Sequence, residues 1–127
     1  MQERPVYLDL TKIKLPMSAF SSITHRLSGM YVFFISVPVF LYCMYLSSSN
    51  KSNFDILVLS LSKFSFFSFL VYLSILMLWY HTLTGVRHLI MDFFHVGESL
   101  KGSNYSAIFV IFFWLISSLA FLLVLIL

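Results

Sequence analysis

Residues 64–86 read FSFFSFLVYLSILMLWYHTLTGV, and Arg87-His88-Leu89-Ile90-Met91-Asp92 follow directly. Those 23 residues contain no Asp, Glu, Lys or Arg. A helix needs about 20 residues to cross a hydrocarbon core of roughly 30 Å, so this run is long enough to span a bilayer. Two further windows share the property: Leu27–Leu46 with 20 residues and Gly102–Leu127 with 26. Membrane-crossing strands would be about 10 residues long and would alternate in polarity, which these runs do not do. The sequence predicts an all-α membrane protein with three transmembrane helices over about residues 18–46, 55–94 and 105–127. An N-terminal surface arm over residues 1–17 precedes them.

Composition points the same way. Of 127 residues, 60% are hydrophobic and 10% charged, more apolar surface than a soluble domain of this size could hide. Pro5 and Pro16 bracket the arm and disfavour one continuous helix there. Pro38 falls inside the first span and should kink it. Basic residues are unevenly placed. Arg4, Lys12, Lys14 and Arg26 precede the first apolar window, and Arg87 and Lys101 flank the link between the second and third; only Lys51 and Lys63 flank the other link. The excess of cations on one side predicts the N-terminus inside (matrix or cytoplasm) and the C-terminus outside. The lone cysteine, Cys43, forms no intrachain disulfide and cannot hold an iron–sulfur cluster, which takes about four ligands. No flavin motif and no Cys-x-x-Cys-His haem-attachment motif is present. A nucleic-acid partner is not expected. The N-terminus lacks the early apolar region of a signal peptide, and Glu3 and Asp9 argue against a transit peptide. Enrichment in Phe, Ser, Ile and Tyr resembles an AT-rich genome and points to the mitochondrial inner membrane, with a bacterial cytoplasmic membrane as the alternative.

Two clusters break the apolar pattern: Ser22-Ile23-Thr24-His25-Arg26 where the first span begins, and His81 to Asp92 where the second ends. Ionisable residues at membrane depth are costly and usually functional. Antiparallel first and second spans bring both clusters to one side. His81 and His88, seven residues apart, lie on nearly one face, about 10 Å apart along the axis. A deep imidazole suits a b-type haem, because its neutral form is an iron ligand and a dry pocket excludes water. Anionic haem propionates would want His25, Arg26, Arg87 and His88 at the interface. The structural alternatives are a His81 hydrogen-bonded to a neighbouring helix and an Arg87 that only fixes orientation. Trp79 and Tyr80 could pack on a macrocycle or on a helix. Ser22 and Arg26, four residues apart, share a helix face. They could hold a quinone carbonyl and its reduced, negatively charged form, or serve as N-cap and snorkelling anchor.

Three stretches resemble the large cytochrome b-type membrane-anchor subunits of succinate dehydrogenase, respiratory complex II. Arg4-Pro5-Val6, with Leu10 and Met17 after it, is similar to the family's opening. Ser22-Ile23-Thr24-His25-Arg26-Leu27-Ser28-Gly29 resembles its Ser-x-x-His-Arg-x-Ser/Thr-Gly block. His81-x-x-x-Gly85-Val86-Arg87-His88-Leu89-x-Met91-Asp92 resembles its second block, with Phe94 where a small residue is usual. The resemblance covers the whole chain and implies roles. His81 would be the haem b axial ligand, with the other axial histidine supplied by the small anchor subunit. Ser22 and Arg26 would belong to the ubiquinone site. His25 and Arg26 would lie near the propionates, with His88 and Asp92 as supporting or proton-path residues. The implied partners are the iron–sulfur subunit, the flavoprotein subunit, the small membrane-anchor subunit and the bilayer. The chain would pass electrons from the iron–sulfur partner to ubiquinone, as one subunit of an enzyme whose complete active site it does not itself contain. The rivals are the anchor of a quinol:fumarate reductase and a haem-free structural subunit.

Overall fold

The structure is a computed structural model that describes residues 15–95, 97 and 99–126. Most of the expected surface arm, including Arg4, Pro5, Lys12 and Lys14, lies outside the described residues. The elements are α1 (Met17–Tyr31), a π-helical turn (Val32–Ser36), α2 (Val37–Ser49), α3 (Lys51–Ser62), α4 (Phe66–Phe94) and α5 (Leu100–Ile126). No strand occurs among the described residues. Three continuous helical runs are long and apolar enough to cross a membrane: Met17–Ser49, Phe66–Phe94 and Leu100–Val124.

Pro38 acts through the π turn. A proline has no N–H to donate and its ring crowds the carbonyl four residues back, here that of Phe34. The chain meets this with wider i→i−5 bonding just before it: the Val37 N–H reaches the Val32 carbonyl. The helix therefore runs on through Pro38 to Ser49.

The second span differs from the expected 55–94 helix. The chain leaves helical geometry at Lys63 (φ −103°, ψ 142°) and Ser65 (φ −138°, ψ 163°), so α3 is a separate short helix. Serine hydroxyls cause the break by offering the backbone other partners. Ser65 Oγ accepts from the Ser68 N–H at 3.1 Å, and Ser68 Oγ accepts from the Ser65 N–H at 2.9 Å. This is a capping box with serine in both places. Ser68 Oγ also donates to the Lys63 carbonyl at 2.9 Å. At the far end α4 stops at His95, which adopts the left-handed conformation (φ 52°), and Gly97 follows at φ 79°.

Packing is inverted relative to a soluble protein. The largest fully buried side chains are small and hydroxylated: Ser21, Ser28, Ser36, Ser68, Ser74 and Thr84. Phe33, Phe34, Phe109 and Phe112 face outward. Lipid solvates large apolar groups as well as a protein core does, so close helix approach falls to small residues.

α5 packs against both α1 and α4. Asn104 Oδ1 accepts from the Ser18 N–H at 3.0 Å, so α5 caps the start of α1, where Pro16 offers no side-chain cap. Trp114 Nε1 donates to the Leu76 carbonyl at 3.1 Å, and Trp79 Nε1 to Ser117 Oγ at 2.8 Å. Arg87 is 5% exposed. Its Nε donates to Ser106 Oγ at 2.9 Å, and its Nη2 to the Ser103 carbonyl at 2.8 Å and Ser103 Oγ at 3.1 Å. Expected among the interfacial cations near the first cluster, Arg87 instead turns to α5. It sits one helix position, about 100°, from His88, so the two point to different neighbours. Arg87→Ala removes every one of these bonds. It should lower the stability of the α4–α5 pairing by roughly 1.5–3 kcal/mol, the range for hydrogen bonds to charged groups, measured by unfolding in detergent micelles.

Candidate functional site

The sequences His25-Arg26-Leu27-Ser28-Gly29 and His81-Thr82-Leu83-Thr84-Gly85 share the pattern His-x-Leu-Ser/Thr-Gly. They lie on α1 and α4, and they face each other with opposite polarity. The His81 ring sits over Gly29: a Cβ built there would come 2.9 Å from His81 Cε1. The His25 ring sits over Gly85, where a Cβ would come 3.3 Å from His25 Cε1. Each helix thus inserts an imidazole into the space left by the other's glycine. The two rings stack with centroids 4.2 Å apart and planes within 5°. His88 extends the column, its ring centroid 5.3 Å from that of His25 at a tilt of 55°.

Hydroxyls complete the arrangement. His81 Nδ1 lies 3.1 Å from Ser28 Oγ and 3.2 Å from the His25 carbonyl. His25 Nδ1 lies 2.8 Å from Thr84 Oγ1. Both bonds therefore use the ring atom nearer the backbone.

The rings line an open-sided cleft of about 570 Å³ with Ser22, Arg26, Thr82, Gly85, Val86, His88 and Leu89. Five of the six residues to which the resemblance gives roles, Ser22, His25, Arg26, His81 and His88, thus share one cavity. Asp92 is exposed and stands one helical turn beyond His88, within electrostatic reach of it. Arg87 is turned away, as described. Trp79 and Tyr80 also pack elsewhere. Trp79 bonds to α5, while Tyr80 is buried edge-on against Trp114 (5.2 Å, 73°), its hydroxyl hydrogen-bonded to that of Thr24. Ser28, Gly29 and Thr84 carry the geometry but were not singled out for roles. The signal for them was the repeated pentapeptide, which is too short to stand out until the two copies are seen face to face.

The donor set suits a haem iron better than a bare metal ion. Among the described residues no group of three or more His, Cys, Asp or Glu side chains could hold a metal ion. One imidazole, anchored at Nδ1 by a backbone carbonyl and a hydroxyl, is the usual posture of a metal-binding histidine. No hydrogen bond among the described residues engages its Nε2.

The family model for the succinate dehydrogenase/fumarate reductase transmembrane subunit matches residues 1–121. The chain belongs to that family. It is similar to the succinate dehydrogenase cytochrome b556 subunit of Coxiella burnetii, at 34% identity over 90 residues, covering 71% of each chain. It also resembles the succinate dehydrogenase cytochrome b560 subunit of Porphyra purpurea, at 36% identity over 93 residues, covering 70% of this chain and 71% of that one. As a member of this family the chain is a membrane subunit of an oxidoreductase complex.

The two glycines should respond differently to alanine. Alanine gains roughly 0.5–1 kcal/mol of helix propensity over glycine, whereas overpacking costs about 1–3 kcal/mol. At Gly85 the tight contact at 3.3 Å leaves these terms nearly balanced. At Gly29 the 2.9 Å clash must push out a ring held at Nδ1, so destabilisation wins. Thermal unfolding in detergent should therefore rank Gly29→Ala clearly below Gly85→Ala.

Proposed function

We propose that the chain is the cytochrome b-type anchor of a succinate:ubiquinone oxidoreductase, binding haem b and forming part of the ubiquinone-reduction site. The observation that carries this reading is the convergence of His81, His25, His88, Ser22 and Arg26 on one cleft. His81 would hold the haem iron through Nε2. As the resemblance implies, a histidine of the small membrane-anchor subunit would complete the haem site, and the open side of the cleft leaves room for it. Haem b supplies one-electron redox chemistry beside the quinone site when bound.

The chain's own residues then divide the work. Ser28 and the His25 carbonyl orient the His81 ring. Arg26 and His88 would place positive charge or N–H donors near the haem propionates at the mouth of the cleft, with the His25 ring beside them. Ser22 and Arg26, four residues apart on α1, hold the ubiquinone carbonyl. The Arg26 guanidinium stabilises the negative charge that develops on that oxygen as electrons arrive from the iron–sulfur partner. Arg26 is exposed, which suits a group that meets a substrate entering from the membrane boundary. Asp92, one turn from His88, stands where a proton could enter from the aqueous side. The charge distribution puts this end of the bundle inside, facing the iron–sulfur and flavoprotein subunits. The compositional bias supports a mitochondrial inner membrane, with a bacterial cytoplasmic membrane as the alternative.

Two measurements test the reading. A reduced-minus-oxidised spectrum of the complex should show a b-type band that disappears in His81→Ala; survival of the band in that variant overturns the ligand assignment. Arg26→Ala should slow ubiquinone reduction at least about tenfold, near 1.4 kcal/mol of transition-state stabilisation, while succinate oxidation by an artificial acceptor persists. Equal loss of both activities would assign Arg26 to assembly instead.

A further inference from the structure

The hydrogen-bond donors around the stacked imidazoles can be counted. Ser28 has one hydroxyl proton, and its shortest contact, 2.7 Å, is to the carbonyl of His25. That contact requires the proton, because two oxygens at such a distance repel without one. Ser28 Oγ therefore has only lone pairs to offer His81 Nδ1. The second neighbour of Nδ1, the His25 carbonyl, is an acceptor as well. Between two acceptors, Nδ1 must carry hydrogen.

The same count holds on the other side. Thr84 Oγ1 donates to the Tyr80 carbonyl at 2.8 Å, with the His81 carbonyl at 3.2 Å. It too has only lone pairs for His25 Nδ1. The two histidines are thus held by one device used twice. A hydroxyl three residues after each histidine spends its proton on its own helix and accepts from the imidazole of the other.

We propose that Ser28 is a positioning residue that fixes His81 as its Nδ1–H tautomer, with a lone pair on Nε2, and that Thr84 does the same for His25. A haem ligand needs that tautomer, because iron binds the unprotonated nitrogen. Free imidazole divides between two tautomers, so the lock removes a competing population before any ligand arrives. Donating this hydrogen bond from Nδ1 also makes the ring more basic toward a metal. The purpose of the freed lone pair rests on the haem reading; the lock itself does not.

The full chain, ¹⁵N-labelled at histidine and reconstituted in lipid bilayers, reports tautomers directly by solid-state NMR, with His81 assigned by its loss in His81→Gln. The expected result is His81 as Nδ1–H. In Ser28→Ala its preference for that tautomer should fall about 2- to 12-fold, the range for one net hydrogen bond, and in Ser28→Thr it should be restored. Thr84→Val should alter the His25 signal and leave the His81 tautomer in place. Finding His81 as Nε2–H, or an unchanged ratio in Ser28→Ala, overturns the inference and leaves the haem reading standing. Haem affinity of the purified complex, carrying the same variants, gives the second readout. Ser28→Ala should bind haem about 10- to 100-fold more weakly than the parent, with rescue in Ser28→Thr. A locked His81 in a complex that shows no b-type band upholds the lock and overturns the haem reading.

Discussion

Everything at the candidate site depends on how closely α1 and α4 approach. Two glycines on facing helices remove the side chains that would hold the backbones apart, and two imidazoles fill the space. Neither ring can be placed without the opposite helix. In a bilayer this matters more than in water, since apolar burial between helices contributes little and packing with hydrogen bonding must hold the pair. The stack, the two hydroxyl bonds and the fit against glycine all act within a few residues, so the site and the helix interface are one object.

The third span supports this pair without entering the cleft. α5 caps α1 through Asn104, grips α4 through Arg87, and takes the indole N–H of Trp114 onto a carbonyl of α4. Such bonds are consistent with a medium that offers no water to polar groups left unpaired. The cleft is left on the side away from α5, where α1 and α4 carry His25, Arg26 and His88 outward. Three helices thus build a half-site. The family to which the chain belongs works within larger complexes, and a half-open cavity is what a subunit contributes when its neighbours supply the rest.

Much of this was legible in the sequence. Charge-free windows gave three spans because the cost of burying charge in hydrocarbon is large and acts residue by residue. The two polar clusters were visible for the same reason, and antiparallel spans bring them to one level. What the sequence hid was direction around each helix. Arg87 and His88 are adjacent in the chain, yet one points to α5 and the other to α1. Apolar residues surround both, so no hydrophobic face marks the difference. The break at Lys63–Ser65 was hidden too, because Phe64, Phe66 and Phe67 continue the apolar run while the serines redirect the backbone. The roles of Ser28 and Thr84 arise only when two short, similar sequences meet across an interface.

The π turn at Val32–Ser36 has a consequence for how such a subunit diverges. A π turn accommodates one surplus residue in the coil, and the surplus changes the azimuth of everything beyond it by about 100°. It lies three residues past Gly29, on the far side of the histidine stack. Loss or migration of that single residue would swivel α2 against its surroundings while leaving the imidazole pair undisturbed. The first span therefore has two separately aimed halves: one pinned by the histidine pair, the other set by its packing against α3 and α4.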